Sequence, residues 1–196
     1  MKPLILASTS IYRAELLQKV GIPFSAQKPI FDEDAAKAEL VSLNKSPLEL
    51  AEALSQGKAH SFSSDGRTII AGDQLVDFNG QVLGKSGSFE KAFHQLKTLS
   101  GKSHNLITAV TILSDEHKFH INHLTTLTMK NLTDAEIVSY LKKDQPFDCA
   151  GSYKIEKHGL ILFDEIKTDD FSAIQGLPMI WISKKLKELG YEFFIG

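Results

Sequence analysis

Cysteine is almost absent from this chain, since Cys149 is the only one among 196 residues. A single thiol excludes an internal disulfide. Long hydrophobic runs are missing as well, because no stretch reaches the roughly 18 apolar residues that a transmembrane helix needs. The opening MKPLILAST holds too short an apolar stretch for a signal peptide. We therefore expect a cytoplasmic protein.

The chain has little excess charge of either sign, with a formal net charge of -2. Such a balance provides no broad positive field for nucleic acid or an anionic membrane surface, so we expect neither as a partner. Any phosphate group must then be bound by a local cluster. Hydrophobic residues make up 42% of the chain, enough for a sizeable core, and we expect a single domain over residues 1–196.

Two Gly-Lys-Ser triplets, 84–86 and 101–103, suggest the end of a Walker A loop. That loop needs a further glycine five positions before the second one. Those positions hold Asn79 and Leu96, so the sequence predicts no P-loop.

Three histidines and the single cysteine also suggest reactive or metal-binding chemistry at first sight. His117, His120 and His123 lie three apart, which places them on opposite faces of a strand, and the outer two would be ~20 Å apart, too far for one ion. We interpret them as part of a solvated hairpin. Cys149 has no evident base beside it, which favours a small buried side chain over a nucleophile.

Strand and helix patterns alternate along the chain. Apolar runs predict strands over 4–7, 68–71, 106–113, 119–129 and 159–166. Helical periodicity, capping boxes and flanking Gly or Pro predict helices over 11–20, 47–58, 89–99, 134–141 and 178–189. Asn79-Gly80 between apolar runs predicts a hairpin over 75–83, and a second hairpin is predicted over 106–129. Because two hairpins interrupt the alternation, we expect an α/β fold with a mixed sheet surrounded by helices.

The first candidate site is LASTSIYRAELL, near the start of the chain. Ser8 and Ser10 supply hydroxyl groups, the predicted helix start supplies free N–H groups, and Arg13 supplies a forked cation one turn later. Together these groups form a phosphate cradle. The alternative is that the serines only cap the helix and that Arg13 is a surface charge.

The second candidate is Asp73, with Gln74 beside it, at the end of the apolar strand IIAG. Strand ends are where α/β proteins present catalytic groups. An aspartate there can bind a divalent cation or accept a proton from water; alternatively, it only starts the following turn.

Three further features add weaker signals. Lys58 and Lys85 can bring positive charge to a triphosphate, although lone lysines are usually solvated. The acidic run 32–34 can share metal or water contacts with Asp73, or form a polar loop. The segment 150–156 brings glycine, hydroxyl, aromatic and carboxylate groups together before a strand, an arrangement that suits a wall for a base.

Five motifs occur in a fixed order: LILASTSIYRAELL, GDQLVDFNGQVLGK, HQLKTLSGKSHNLITAVTI, CAGSYKIE and FSAIQGLP. In this order they resemble the Maf family of house-cleaning nucleotide pyrophosphatases, over essentially the whole chain. The resemblance implies an elongated mixed α/β fold with two lobes flanking a nucleotide cleft. It also implies hydrolysis of nucleoside triphosphates to monophosphate and pyrophosphate with Mg²⁺ or Mn²⁺. Members of the family often form homodimers.

The resemblance also assigns expected roles to individual residues. It implies that Asp73 is the proton acceptor, assisted by Lys58 and Lys85. Phosphate contacts fall on Ser8, Ser10 and Arg13. Metal contacts fall on Asp73 and Glu33.

The same resemblance implies that three residues select the base: Tyr12, Gln74 and Glu156. This set resembles members that act on 7-methyl-GTP, whereas members that take dTTP and UTP carry arginine, threonine and glutamine. An aromatic face attracts the positively charged methylated guanine, and a carboxylate accepts hydrogen bonds from the guanine N1–H and exocyclic amine.

Other interpretations of these residues stay open. Tyr12 can instead pack on the first helix while Glu156 is solvated. Alternative functions are a dTTP, UTP or other modified-nucleotide pyrophosphatase, including one that removes deaminated purines, and a non-catalytic nucleotide-binding regulator of septum formation.

Overall fold

The computed structural model describes residues 2–193, which fall into two compact units. Residues 2–73, 108–123 and 170–193 form the first unit. The second unit comprises residues 74–107 and 124–169. The chain passes from the first unit to the second directly after Asp73, in the middle of a strand.

Within residues 2–193 there are seven strands and six α-helices. The strands are β1 (Leu4–Ala7), β2 (Phe24–Gln27), β3 (Thr68–Phe78), β4 (Gln81–Leu83), β5 (Ser103–Leu113), β6 (Lys118–Met129) and β7 (Phe163–Lys167). The helices are α1 (Ile11–Gln18), α2 (Glu33–Ser42), α3 (Pro47–His60), α4 (Phe89–Leu99), α5 (Asp134–Asp144) and α6 (Met179–Glu188). No helix in this described part of the chain is long and apolar enough to span a membrane.

The strands form one mixed sheet, as predicted. Its order is β2-β1-β3-β5-β6-β7, with β4 paired to β3 outside this path. Strand β1 is parallel to both β2 and β3, whereas the pairs β3–β4 and β6–β7 are antiparallel. The predicted hairpin at Asn79-Gly80 is confirmed, and both residues have the positive φ, 53° and 83°, that a tight two-residue turn requires.

In the first unit, β1 and the start of β3 are buried on both faces. Leu4, Leu6 and Ile70 belong to one core cluster, while the alternate residues Ile5 and Ile69 belong to another. Successive side chains of a strand point to opposite faces of the sheet. The uninterrupted apolar runs in the sequence therefore correspond to strands with a core on each side.

Helix starts follow the capping signals in the sequence. Ser10 caps α1, while Ser46 with Glu49 and Thr133 with Glu136 form the predicted capping boxes of α3 and α5. These predictions hold because a cap depends on groups within one turn of the chain.

Helix α2 is the main element that the sequence patterns did not predict. Its N-cap is Asp32, whose carboxylate accepts the N–H of Ala35 at 3.0 Å, and Glu33 and Asp34 occupy the first turn. The acidic run is therefore a helix start, where negative charge is favourable, and its interpretation as a polar loop is wrong. No residue of α2 is buried, so the helix has no apolar periodicity to reveal it.

The strand predicted over 159–166 is wrong in its first half. Residues Gly159–Leu162 form a 3₁₀ turn, and the strand begins only at Phe163. The N–H of Gly159 donates to the Lys154 carbonyl oxygen at 2.8 Å, and a Cβ at position 159 would lie 2.3 Å from that oxygen. This close backbone approach turns the chain and leaves the apolar Ile161 exposed.

Candidate active site

Lys58 lies at the centre of a charged cluster in the first unit. Its Nζ is 2.7 Å from Asp73 Oδ1 and 2.7 Å from Glu33 Oε2. The three residues come from the last turns of α3, the middle of β3 and the first turn of α2. The side chains of Lys58 and Asp73 are only 12% and 7% exposed, so each charge relies on its partner more than on water.

The second carboxylate oxygen of Glu33 accepts a hydrogen bond from Lys37, one turn later in α2. Partial burial disfavours ionisation of Glu33, but the hydrogen bonds from Lys37 and Lys58 outweigh it and lower the pKa of Glu33 to about 2. Glu33 is therefore ionised near neutral pH. Sequence reasoning missed Lys37, because the i,i+4 spacing of an ion pair has meaning only once 33–42 is known to be a helix.

The predicted cradle residues are in contact with one another. Arg13 Nη1 donates to Ser8 Oγ at 3.4 Å, and the same hydroxyl oxygen accepts the N–H of Ser10 at 3.1 Å. Ser10 caps α1, so the capping interpretation holds for this serine. Arg13 is partly buried rather than a free surface charge: burial lowers its pKa, while Asp73 and Glu33 act in the opposite direction.

Two glycines make room for the Arg13 side chain. A Cβ at Gly176, where φ is 110°, would lie 3.0 Å from Arg13 Nε, which donates to the Gly176 carbonyl oxygen at 3.1 Å. A Cβ at Gly72 would lie 3.4 Å both from Arg13 Nε and from the Ala109 carbonyl oxygen. Sequence reasoning assigned no role to either glycine, although Gly72 opens the motif GDQLVDFNGQVLGK and Gly176 lies within FSAIQGLP.

The remaining candidates are distributed over both units. Tyr12 is half-buried on α1, next to Arg13. Gln74 follows Asp73 in β3 and begins the second unit, where it is half-buried. Lys85 is exposed in the second unit and forms an antiparallel backbone bridge with Ala150. The second unit thus brings Lys85 beside the segment that leads to the exposed Glu156.

The aromatic member of the predicted base-binding wall lies elsewhere. Tyr153 is 5% exposed, and its ring lies edge-on to Phe163 with centroids 5.0 Å apart. Its hydroxyl is 3.2 Å from Nε2 of the buried His104. The assignment of Tyr153 to a base-binding surface is therefore wrong, because its ring is part of the core of the second unit.

The predicted roles of Cys149 and the three histidines have different outcomes. Burial and the nearby Asp148 carboxylate raise the pKa of Cys149 to about 12, which agrees with the prediction that it is no nucleophile. The histidines are not all solvated as predicted: His123 is 6% exposed, and His120 Nδ1 lies 2.9 Å from Thr111 Oγ1.

The carboxylates of Glu33 and Asp73 converge on one ammonium nitrogen, which brings two hard oxygen donors to one place. Among residues 2–193, no group of three or more His, Cys, Asp or Glu side chains is arranged to bind a metal. Mg²⁺ is usually bound through one or two carboxylates, with substrate phosphates and water as its other ligands. The donor set of Glu33 and Asp73 fits such an ion.

Comparison with known proteins gives matches over nearly the full chain. The family described as Maf-like protein matches residues 3–189. A 7-methyl-GTP pyrophosphatase of Bdellovibrio bacteriovorus is 46% identical over 186 residues, covering 95% of this chain and 96% of the relative. One from Xanthomonas axonopodis pv. citri is 39% identical over 194 residues, covering 98% and 99%. One from Bordetella pertussis is 37% identical over 195 residues, covering 98% and 95%.

Proposed function

This chain belongs to the Maf-like protein family, and we propose that it is a nucleoside triphosphate pyrophosphatase with a preference for 7-methyl-GTP. The reaction is hydrolysis of the bond between the α- and β-phosphates, which yields nucleoside monophosphate and pyrophosphate. The observation that carries this proposal is the contact of Lys58 with both Asp73 and Glu33, beside the partly buried Arg13. The names of the relatives support the same reaction and substrate.

In this proposal Asp73 accepts the proton of the attacking water. A general base must be ionised and held within hydrogen-bond reach of its proton donor. The contact with Lys58 restrains one oxygen of Asp73, and the other oxygen is the one that takes the proton. Lys58 then stabilises negative charge that develops as the phosphate bond breaks.

Phosphate binding is assigned to Ser8, Ser10 and Arg13. The guanidinium of Arg13 offers a planar fork that matches phosphate oxygens, while the start of α1 offers backbone N–H groups and the positive end of the helix dipole. These groups hold the leaving pyrophosphate and stabilise its charge. Since the net charge of the chain is only -2, this local cluster supplies the attraction that the protein as a whole does not.

Glu33 and Asp73 would hold the divalent cation that the family implies, Mg²⁺ or Mn²⁺. Such an ion, when bound, neutralises charge on the phosphate oxygens. The contact of both carboxylates with the one ammonium group of Lys58 supports this assignment.

Tyr12, Gln74 and Glu156 are assigned to base selection. Guanine methylated at N7 is positively charged, and an aromatic ring such as that of Tyr12 attracts a partly desolvated cation by ~0.5–2 kcal/mol. Glu156 is exposed, and a carboxylate accepts hydrogen bonds from guanine N1–H and the exocyclic amine. The same carboxylate repels the carbonyl oxygens of a pyrimidine.

A substrate panel tests the proposal. Purified protein is supplied with Mg²⁺ or Mn²⁺ and with 7-methyl-GTP, GTP, dTTP, UTP and deaminated purine triphosphates, and pyrophosphate and orthophosphate are measured separately. We expect monophosphate and pyrophosphate as products, with the highest kcat/KM for 7-methyl-GTP. Release of orthophosphate with nucleoside diphosphate would overturn the cleavage position, and a higher kcat/KM for UTP or dTTP would overturn the base preference.

A further inference from the structure

Four charged side chains of the first unit are connected by consecutive ion pairs. Lys37 contacts one oxygen of Glu33, Lys58 contacts the other oxygen, and Lys58 also contacts Asp73. Both oxygens of Glu33 are thus engaged by ammonium groups. Only Lys37 among the four has no role in the function proposed above.

Lys37 differs from Lys58 in its exposure and in its ion pairs. Its side chain is 42% exposed, against 12% for Lys58, and within residues 2–193 it pairs with Glu33, whereas Lys58 pairs with two carboxylates. A lysine side chain carries a positive charge at neutral pH, and Lys58 alone already reaches both Glu33 and Asp73. Lys37 is therefore a persistent positive charge that can leave Glu33 while Lys58 still pairs with both carboxylates.

A divalent cation and the Lys37 ammonium group need the same carboxylate. Both are attracted to Glu33 and repel each other, so occupation by one disfavours the other. When the cation binds Glu33, the exposed ammonium group of Lys37 is the contact that yields most easily. The Lys37 ammonium group then lies next to the cation on Glu33 and can attract the polyphosphate that this cation binds.

We propose that Lys37 sets the balance of the site between metal and polyphosphate: it competes with the divalent cation for Glu33 and adds positive charge for the phosphate chain. The metal part of this inference stands on the Glu33 contacts, and the phosphate part rests on the proposed function. The two parts predict effects of opposite sign. Removal of the Lys37 charge strengthens cation binding and weakens pyrophosphate binding.

The chain offers a matched control for an ordinary helical ion pair. Lys45 contacts Glu49 with a separation of four residues, and its side chain is 42% exposed, as is that of Lys37. Glu49 contacts Ser46 and Lys45, and neither of these residues belongs to the charged cluster around Lys58. Lys45→Gln therefore removes a comparable pair without touching that cluster.

The test measures binding rather than turnover. Mn²⁺ binding to the free enzyme is measured by calorimetry, and pyrophosphate binding is measured at saturating Mg²⁺, for wild type, Lys37→Gln, Lys37→Arg and Lys45→Gln. For Lys37→Gln we expect the Mn²⁺ dissociation constant to fall about two- to five-fold and that of pyrophosphate to rise about two- to five-fold, the range of a partly screened charge pair. Lys37→Arg and Lys45→Gln should bind both ligands as the wild type does.

Each other outcome contradicts the inference. If Lys37→Gln leaves both constants unchanged, the pair is an ordinary surface contact. If both ligands bind more weakly, or if thermal unfolding shows a loss of structure that Lys37→Arg shares, the role is structural. If Mn²⁺ does not bind the wild type, Glu33 holds no cation. Because the Mn²⁺ measurement needs no turnover, an inactive protein would overturn the proposed function while the competition at Glu33 is still tested.

Discussion

Lys58 Nζ lies 2.7 Å from Asp73 Oδ1, and both side chains are largely withdrawn from water. The contact holds the carboxylate of Asp73 in one orientation. In the proposed mechanism, the second oxygen of this carboxylate accepts the proton from water. The proposed base is therefore positioned by the same ammonium group that is expected to stabilise the departing charge.

Replacement of Asp73 by asparagine tests its role as base. The amide keeps the shape of the side chain but cannot accept the proton, so we expect kcat for 7-methyl-GTP to fall by about 10²-fold or more. Steady-state kinetics measures this loss. The matched control is Asp77→Asn in the same strand. The carboxylate of Asp77 accepts a hydrogen bond from the backbone N–H of Gly80 in the turn, a contact that has no part in the proposed mechanism. A near wild-type rate for Asp73→Asn would remove Asp73 from the mechanism.

Replacement of Lys58 by glutamine leaves two carboxylates facing each other without their shared cation. We expect the free energy of unfolding to fall by about 1–3 kcal/mol, below the loss for a fully buried pair because Glu33 is 35% exposed. Urea unfolding at neutral pH measures this difference. Lys45→Gln should lose less than about 0.5 kcal/mol, as is usual for a surface pair. Equal stability of the two variants would mean that the Lys58 contacts contribute little.

Removal of divalent cations should abolish activity but not the fold. Two carboxylates held by Lys58 suit an oxygen-ligated ion, and the ammonium group already compensates their charge when the ion is removed. We expect EDTA to stop pyrophosphate release and Mg²⁺ or Mn²⁺ to restore it, with an unchanged far-UV circular dichroism spectrum. Full activity after exhaustive chelation would contradict this expectation.

Base selection should depend on Glu156 and Tyr12 in different ways. Glu156→Gln removes a charge that favours guanine and repels pyrimidine carbonyls, so the ratio of kcat/KM for 7-methyl-GTP over UTP should fall by about ten-fold, as a charge-assisted hydrogen bond is worth about 1.5–3 kcal/mol. Tyr12→Ala should weaken the binding of 7-methyl-GTP more than that of GTP, since only the methylated base is cationic. Unchanged ratios in both variants would remove these residues from base recognition.

Burial of His104 should make stability depend on pH. Burial lowers the pKa of His104 from its usual 6.5 to about 4, so between these values the unfolded chain binds a proton that the folded chain does not. Stability therefore falls as the pH drops from 6.5 through 4, by up to about 3 kcal/mol. Urea unfolding near neutral pH and near pH 4 compares wild type with His104→Phe, which keeps ring packing against Phe163. The variant should lose less stability on acidification, and an identical loss would exclude His104 as the cause.

Signals within a few residues account for the elements that the sequence predicted correctly. Ser46 with Glu49 and Asn79 with Gly80 each act through one turn of backbone, so they are visible in the sequence. The 3₁₀ turn at Gly159 escaped prediction because its apolar residues match a strand pattern, and only the bond to the Lys154 carbonyl shows otherwise.

Several members of the candidate site were predicted, but their contacts were not. Ser8, Arg13 and Asp73 were candidates because hydroxyl, guanidinium and carboxylate groups follow apolar strands. The role of Gly176 is visible only from its contact with Arg13, which is 163 positions away in the chain. The link between Lys37 and the candidate site is visible only from the contacts of Glu33 with both Lys37 and Lys58.

By itself the sequence determined the strand-turn-helix start, the capping boxes, the mixed sheet and the family, because each depends on local backbone chemistry or on ordered motifs. Only the tertiary structure decided that Glu33 and Asp73 share the ammonium group of Lys58. Lys58 and Asp73 are 15 positions apart in the chain, so no local signal connects them. Such a contact depends on how α2, α3 and β3 pack on the core. Packing is a property of the whole apolar surface, and no short stretch of sequence specifies it.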